Sequence, residues 1–337
     1  MESEYRYIFK DKSLGKGLSG EVRLAYDQIM EKEVAAKRIP KNLVNNPKEM
    51  ELLTNEILIS TDCDCDFLAK VYDISDIEKE KYLLFEYCNG GDLNTSIKKY
   101  REKYGDLKEE ILQYIIIQIL NGLQCLHAHG IIHHDIKPAN ILLKYDSEKD
   151  LKEMNFLKCK FKLSDFGLSK YKKIQIEKNE RMIGGSPLYM EPSLFDRNVP
   201  VNIIENEKVD IWALGILSYE LLFNITPFEN KSYNPENAIQ ELVYNLKKGI
   251  YIIDLNNINK ISLQFIAFLN SCLQFEQNKR SSSDELLLSE FITREFSYFE
   301  FVDKKTINKI PIQYINKGNI IQLDIRDNKK LNELLAM

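Results

Sequence analysis

Asp135, Lys137 and Asn140 lie in the polar centre of the stretch Ile131–Leu143, IIHHDIKPANILL, which has an apolar run at each end. An acid can take a proton from a hydroxyl group, a lysine can neutralise a phosphate, and a carboxamide oxygen can ligate a metal ion. This spacing indicates chemistry that handles a phosphate, a metal and a hydroxyl proton together. The rest of the chain must then supply elements that hold these groups and a phosphate-bearing substrate.

Length and composition are those of a soluble globular protein. The chain has 337 residues, of which 44% are hydrophobic and 29% are charged, enough for one large core or for two lobes that share a cleft. The formal net charge of −5 gives no reason to expect a nucleic-acid partner.

The cysteines and the apolar runs bear on where the protein works. The six cysteines form no CxxC pair, so we interpret them as reduced thiols and expect a cytoplasmic protein. The N-terminal stretch, MESEYRYIFK, lacks the apolar centre of a signal peptide. The most apolar run, ILQYIIIQIL, is short and is interrupted by Gln113 and Gln118, which predicts a buried helix rather than a membrane span.

A glycine-rich stretch, GKGLSG at residues 15–20, lies between two predicted strands. A dinucleotide site would need a strand followed by a helix at this point, so that reading is disfavoured. The glycines would instead let backbone amides close over phosphates. Val22 and Ala35 then offer small apolar surfaces for an adenine ring.

Lys37 is either an exposed strand lysine or a cation for phosphate groups. Asn46-Pro47 is typical of a helix start, and the predicted helix continues to about Ser60. Glu56 lies in the middle of this helix and is our choice of partner for Lys37. Glu49 and Glu51 are the alternatives, but both lie nearer the helix start, where the helix dipole already explains a carboxylate.

The remaining pattern predicts a β-rich first part and a helical second part. Strands are predicted at Phe67–Ser75 and Lys81–Tyr87, and Asp92 in the connector that follows either holds ribose hydroxyls or caps the next helix. Helices are predicted at residues 107–129, 208–223, 235–247, 261–274 and 283–290.

Two regions are harder to assign from their patterns. Lys144 to Lys160 is charged and without a clear period, so we interpret it as a surface insertion. In the tail, apolar runs at 310–314 and 320–325 predict a β-hairpin around residues 316–319.

Several motifs occur together in the order that protein kinases show, and over residues 7–292 the sequence resembles that family. The motifs are GKGLSGEV, VAAK, EYCNGGDL, HHDIKPAN, DFG, GSPLYMEP and DIWALG, followed by Arg280. The resemblance implies an α+β, bilobal protein kinase fold, with a small antiparallel β-sheet lobe that contains one helix and a larger, mainly helical lobe. It implies a first lobe at 7–87, a hinge at 88–92 and a second lobe at 93–292, with a tail at 293–337 that has no assigned function.

The resemblance also implies a role for each part of the site, with ATP and Mg²⁺ as cofactors. Asp135 would accept or orient the proton of the substrate hydroxyl, and Lys137 would neutralise charge on the transferred γ-phosphoryl group. Asn140 and Asp165 would hold magnesium. The positions implied in nucleotide binding are Gly15, Lys16, Gly17, Gly20, Val22, Ala35, Lys37, Glu56, Glu86, Cys88, Asp92 and Leu142.

The acceptor implied by the resemblance is a serine or threonine hydroxyl of a protein. HHDIKPAN is similar to serine/threonine kinases, and Ser186 stands where those enzymes place a hydroxyl that bonds the catalytic acid and lysine. Within the family, EYCNGGDL and GSPLYM resemble the autophagy-initiating ULK kinases, and DFGLSK resembles more weakly the calcium/calmodulin-dependent group.

Two departures from the family pattern bear on regulation and stability. His134 replaces the arginine common before the catalytic acid, and the loop from Leu168 to Gly185 contains no threonine, so we predict activity without activation-loop phosphorylation. Ser193 stands where the family has a glutamate that pairs with an arginine. Arg280 must therefore find another partner, for which Glu191 is the candidate.

Two other functions compete with an active protein kinase. A pseudokinase that serves as a nucleotide-binding scaffold commonly lacks one of the residues Lys37, Glu56, Asp135, Asn140 and Asp165, and this chain has them all. A kinase for lipids or small molecules is disfavoured because GSPLYMEP resembles a loop that seats a peptide.

Overall fold

The computed structural model divides into two compact units, each made of two chain segments. The first unit contains Met1–Lys98 and Ala139–Ser169, and the second contains Lys99–Pro138 and Lys170–Met337. The structure describes residues 6–17, 20–39, 47–77, 80–172, 186–191, 206–227, 250–254, 261–274, 276–294 and 320–324.

The described residues form twelve strands and eight α-helices. The strands are β1 (Tyr7–Gly17), β2 (Gly20–Asp27), β3 (Lys32–Ile39), β4 (Val71–Ile77), β5 (Glu80–Glu86), β6 (Gly91–Asp92), β7 (Ile131–Ile132), β8 (Ile141–Tyr145), β9 (Cys159–Leu163), β10 (Lys170–Tyr171), β11 (Ile250–Asp254) and β12 (Ile320–Asp324). The helices are α1 (Pro47–Asp62), α2 (Leu93–Tyr104), α3 (Glu109–Ala128), α4 (Glu148–Glu153), α5 (Lys208–Phe223), α6 (Leu263–Cys272), α7 (Ser283–Leu287) and α8 (Glu290–Thr293).

The first unit is built on a five-stranded antiparallel sheet in the order β1-β2-β3-β5-β4. Successive strand residues face opposite sides, so Val34, Ala36 and Leu84 share an apolar cluster on one face while Ala35 and Lys37 point to the other. The predicted antiparallel β-sheet lobe is confirmed.

Helix α1 of the first unit begins at Pro47, as predicted from Asn46-Pro47. Its inward face carries Glu56 and Ile59, which are 5% and 0% exposed. The Ser60 hydroxyl donates to the Glu56 carbonyl at 2.8 Å. The polar residue at position 60 is therefore satisfied within the helix itself.

The prediction that Lys144 to Lys160 is a surface insertion is wrong. Strands β8 and β9 form an antiparallel hairpin that also pairs with β6, and α4 lies between them. Tyr145, Phe156 and Cys159 are 4%, 2% and 0% exposed and anchor the segment in the first unit. The sequence did not predict the burial of these three residues, because apolar residues so widely spaced among charged ones show no strand or helix period.

The second unit is mainly helical, as predicted. Helix α5 is apolar nearly all round, and all residues from Val209 to Tyr219 are buried. Helix α7 begins with a capping box in which Ser282 and Glu285 satisfy each other's backbone amides.

Among the described residues, α3 is the one helix that is both long and apolar enough to cross a membrane. By length and mean hydropathy, 1.3 over an 18-residue window, it could cross a membrane, but 56% of that window is buried inside the protein. Gln113 Nε2 in this helix donates to the Phe291 carbonyl at 2.6 Å. We therefore interpret α3 as a core helix, in agreement with the sequence.

Strand β12 lies in the tail, within the apolar run at 320–325 that the sequence predicts as a strand. Strand β12 pairs antiparallel with β11, with Ile320 opposite Asp254. Residues 310–314, the predicted partner, lie outside the described residues, as does the helix predicted at 235–247. A run of apolar residues indicates a strand but carries little information about a partner far away in sequence.

Candidate active site

The described part of the glycine-rich stretch places Gly15, Lys16 and Gly17 at the end of β1 and Gly20 at the start of β2. Gly17 pairs with Gly20 across the hairpin, and Gly20 has a φ of 124°, which favours glycine. A Cβ built on Gly15 would meet no atom within 4 Å, so the protein's own packing does not require glycine there. The open space at Gly15 fits the predicted approach of a phosphate group to the backbone.

The residues predicted to face an adenine ring lie on one side of the sheet. Val22 is directly opposite Lys37 in the β2–β3 register, and Ala35 precedes Lys37 by two residues on β3. Opposite residues and alternate residues share a face, so Val22, Ala35 and Lys37 line the same side. This is the side away from the apolar cluster of the first unit.

Lys37 and Glu56 form the ion pair that the sequence predicts. Lys37 Nζ lies 2.8 Å from Glu56 Oε2 and 3.0 Å from Oε1, and the two side chains are 13% and 7% exposed. Burial raises the pKa of Glu56; Lys37 lowers it by a smaller amount, and the Asp165 carboxylate raises it further. The net effect is a pKa for Glu56 above the usual value of a glutamate.

The two predicted magnesium ligands are connected through the backbone of the first unit. The Asn140 carbonyl accepts hydrogen bonds from the Ser164 amide at 2.9 Å and from its hydroxyl at 3.0 Å, one residue before Asp165. Asp165 has a φ of 63°, uncommon for a residue with a side chain, and the next residue, Phe166, is 1% exposed. The oxygen donors of Asn140 and Asp165 are of the kind that Mg²⁺ prefers.

The residues predicted around the hinge have defined partners. Both oxygens of Asp92 accept from Thr95, from its amide at 2.8 Å and from its hydroxyl at 2.9 Å, so Asp92 caps α2. Burial raises the pKa of the Cys88 thiol to about 12, which keeps it neutral. Leu142 is half-buried and lies opposite Asp92. Of the two predicted roles of Asp92, the structure displays the capping role.

Two loops of the second unit bring three predicted residues together. One loop carries Asp135 and Lys137, which we call the acceptor loop, and the other carries Ser186; the three residues form the acceptor-loop cluster. Lys137 Nζ lies 2.6 Å from Asp135 Oδ2 and 3.1 Å from the Ser186 hydroxyl. The Ser186 amide donates to Asp135 Oδ1 at 3.3 Å. Asp135 is 6% exposed, and one face of this cluster lines a surface pocket together with His134 and Tyr189. Ser186 therefore bonds both the acid and the lysine, as the resemblance implies.

Asp210 holds the backbone of this loop, a role that the sequence reading missed. The amides of His133 and His134 donate to its two oxygens at 2.8 and 2.9 Å, and His127 Nε2 lies 2.9 Å away. Burial raises the pKa of Asp210, but the hydrogen bond and positive potential of His127 outweigh that effect and hold the pKa below its usual value. The signal was present, because Asp210 is the single charged residue among the buried residues from Val209 to Tyr219.

The sequence clusters four histidines at 127, 129, 133 and 134, which could suggest a metal, but the two in or beside α3 have protein partners. His127 lies in the last turn of α3, as the sequence predicts, and its ring nitrogens lie 2.9 Å from Asp210 Oδ2 and 3.4 Å from Ser283 Oγ. His129 Nδ1 lies 2.8 Å from the Cys125 carbonyl, which fits the predicted place at the helix end.

Arg280 has the partner that the sequence analysis selected. It pairs with Glu191, and both side chains are 0% exposed. Arg280 also donates to the Gln274 carbonyl at 2.8 Å and to the Lys208 carbonyl at 2.6 Å, and it stacks over the Trp212 ring. The carboxylate at position 191 thus takes the place of the one absent at Ser193.

The sequence is similar to known proteins over most of its length. A model of the protein kinase domain matches residues 8–292. Over 290 residues, 84% of this chain and 56% of the relative, it is 29% identical to the ovarian-specific serine/threonine-protein kinase Lok of Drosophila melanogaster. Over 314 residues, 93% of this chain and 50% of the relative, it is 28% identical to calcium-dependent protein kinase 5 of Plasmodium berghei (strain Anka). The chain spans about half the length of these curated relatives.

Proposed function

The chain belongs to the protein kinase family, and from that membership we propose that it transfers the γ-phosphoryl group of ATP to serine or threonine hydroxyls of proteins. The observation that carries this proposal is the acceptor-loop cluster, in which Lys137 and Ser186 hold Asp135. Both curated relatives are named as protein kinases, and one of them as a serine/threonine kinase.

The acceptor loop supplies the proton chemistry of the proposed reaction. Asp135 orients the substrate hydroxyl and accepts its proton, and Lys137 provides a positive charge beside it. Ser186 fixes the lysine through its hydroxyl and the acid through its amide. Phosphoryl transfer needs fixed geometry and positive charge more than covalent chemistry, so a held acid and lysine suit it.

The first unit supplies groups for the nucleotide. Lys37, held by Glu56, binds the α and β phosphates, and the glycine hairpin closes over them with backbone amides. Asn140 and Asp165 hold Mg²⁺, which when bound neutralises charge on the phosphates. The side of the sheet that carries Val22 and Ala35 receives the adenine ring.

We further propose that activity does not require phosphorylation of the activation loop. Ser169, one of two hydroxyl residues that the sequence offers there, is 0% exposed and so inaccessible to an upstream kinase. The cluster of Asp135, Lys137 and Ser186 is assembled with His134 in place of the arginine that would bind a phosphate. The described segment that carries Ser186 ends at Glu191, and the buried Glu191–Arg280 pair fixes that end to the core of the second unit. All six cysteines are free thiols, which supports the proposed cytoplasmic location.

The test is phosphate transfer from radiolabelled ATP and Mg²⁺ to generic protein substrates, comparing the wild-type chain with Asp135→Asn. Wild-type incorporation on serine and threonine, lost in the variant, is expected. Equal incorporation by both would contradict the mechanism, and binding of ATP without transfer would favour the scaffold function. Phosphatase treatment should leave the wild-type rate within about twofold, and a loss of most activity would contradict independence from phosphorylation.

A further inference from the structure

The stretch from Glu86 to Asp92 is bound along its length to strand β8. The Tyr145 amide donates to Asn89 Oδ1 at 2.8 Å, and Asn89 Nδ2 donates back to the Tyr145 carbonyl at 3.0 Å. The Gly90 amide donates to the Leu143 carbonyl at 2.8 Å, and β6 continues the pairing. The Asn89 side chain thus acts like a strand backbone, with one donor and one acceptor aimed at the same residue.

Gly90 allows this close approach because it has no side chain. A Cβ built at Gly90 would lie 2.7 Å from Leu143 Cβ and 2.8 Å from Tyr145 Cε2, closer than real contacts. Both neighbours are buried and cannot move away cheaply. The contact between this stretch and β8 is therefore specified by sequence at several points.

An ion cluster completes the attachment at the other end. Lys144 Nζ lies 2.5 Å from Glu86 Oε1, and Lys162 Nζ lies 3.0 Å from Glu86 Oε2. Glu86 and Lys162 are 7% and 4% exposed, and Lys162 also donates to the Asp66 carbonyl at 2.7 Å. Burial raises the pKa of Glu86, but the two lysines outweigh that effect and lower it, so Glu86 remains charged.

This ion cluster shares a face with a predicted nucleotide position. Lys144 lies opposite Lys160, and Leu142 lies opposite Lys162, in the β8–β9 register. Alternation then places Leu142, Lys144 and Lys162 on the same side of the hairpin. The lysines hold the Glu86 carboxylate on the side where Leu142 is expected to meet the nucleotide.

We propose that Asn89 and Lys144 are positioning residues for the nucleotide, which hold the backbone of residues 86–88 against β8 before ATP binds. We call Glu86, Asn89, Lys144 and Lys162 the hinge clasp. This inference rests on the proposed function and on the family resemblance, which implies that Glu86 and Cys88 bind the nucleotide. A backbone fixed in its binding conformation loses less entropy when the ligand arrives, so the hinge clasp raises nucleotide affinity. It touches none of the reacting groups, so it leaves the transfer step unchanged.

The experiment compares the KM for ATP and kcat of the wild-type chain with those of Lys144→Met and Asn89→Ala. Both residues are partly exposed and neither variant leaves a charge fully buried without a partner, since Lys162 still pairs with Glu86. We expect the KM for ATP to rise about 3- to 10-fold with kcat within about twofold, and Lys144→Arg to restore the KM. A dissociation constant for an ATP analogue should rise in parallel.

Lys160→Met is the matched control. Lys160 lies directly opposite Lys144 and pairs instead with the exposed Asp146 at 3.0 Å. Its KM for ATP should equal that of the wild type. An unchanged KM in Lys144→Met and Asn89→Ala, a fall in kcat alone, or a gain in activity would overturn the positioning role while the proposed function stands. A wild-type chain that binds no ATP would overturn the proposed function and this inference together.

Discussion

One buried carboxylate in each unit, Glu56 in the first and Glu191 in the second, is held by its cation in a different way. In the first unit, Glu56 is held by Lys37, a long flexible side chain that is itself 13% exposed. In the second, Glu191 is held by Arg280, both are 0% exposed, and the arginine has two carbonyl partners besides. A guanidinium with several fixed partners is part of the core, whereas a single lysine contact can be made and broken. We infer that the first unit uses its ion pair for function and the second uses its pair for stability.

The strongest test of this difference is to remove the arginine. Arg280→Met removes the cation from the buried Glu191 carboxylate, beside which Gln277 remains, so we expect a loss of about 3–5 kcal/mol in the free energy of unfolding. Chemical denaturation of the variant and the wild type measures it. Glu191→Gln should cost less, since an amide still accepts a hydrogen bond from the arginine. A loss below about 1 kcal/mol for Arg280→Met would contradict the core role of this pair.

Lys37→Met should show the opposite signature, a loss of rate with little loss of stability. The rate constant kcat/KM should fall about 10²-fold or more, because the phosphates lose their cation. The free energy of unfolding should change by less than about 1 kcal/mol, since Glu56 already has a raised pKa and can take up a proton. Steady-state kinetics and denaturation on the same preparation measure both quantities. A stability loss as large as that of Arg280→Met would remove the difference between the units.

The sequence predicted those parts of the site that depend on local pattern. Glu56 was found because a carboxylate in the middle of a helix lacks the dipole explanation available to Glu49 and Glu51. Glu191 was chosen because the family resemblance implies a buried arginine at position 280, and a buried arginine needs a carboxylate. The first choice rests on a physical requirement alone, and the second combines such a requirement with the resemblance.

The parts that were missed depend on partners far apart in the sequence. Glu86 and Lys144 are separated by 58 residues, and each alone resembles an ordinary charged strand residue. Strand β12 pairs with β11, which lies about 70 residues earlier in the chain. Asp210 was quoted within its motif, but its partners His133 and His134 lie 77 and 76 residues away. Such pairings follow from tertiary packing, and no period or spacing reports them.

Asp210 accepts hydrogen bonds from the loop that carries Asp135, and weakening them should lower the rate less than the loss of Lys37 does. Asp210→Asn offers one acceptor oxygen where two backbone amides need one each, so the loop that carries Asp135 shifts. We expect kcat to fall about 10-fold, because a small misplacement of a catalytic group is costly. Asp284→Asn, an exposed carboxylate bonded to Gln124, is the control and should keep the wild-type kcat. A wild-type kcat in Asp210→Asn would show that the loop is held by other contacts.

The smallest expected effect is a difference in pH dependence between two carboxylates of the first unit. The pKa of Glu86 is lowered, so its contribution to stability is present above about pH 4.5 and is lost as the pH falls through the folded pKa. The pKa of Glu56 is raised, so its contribution is present below about pH 4.5 and is lost as the pH rises through the folded pKa. Denaturation between about pH 3 and pH 7 should therefore give opposite slopes, for wild type minus Glu86→Gln below about pH 4.5 and for wild type minus Glu56→Gln above it. Glu148→Gln, at a side chain that is 87% exposed, should give no slope. Equal slopes for the first two variants would mean that Lys37 holds Glu56 as firmly as the hinge clasp holds Glu86.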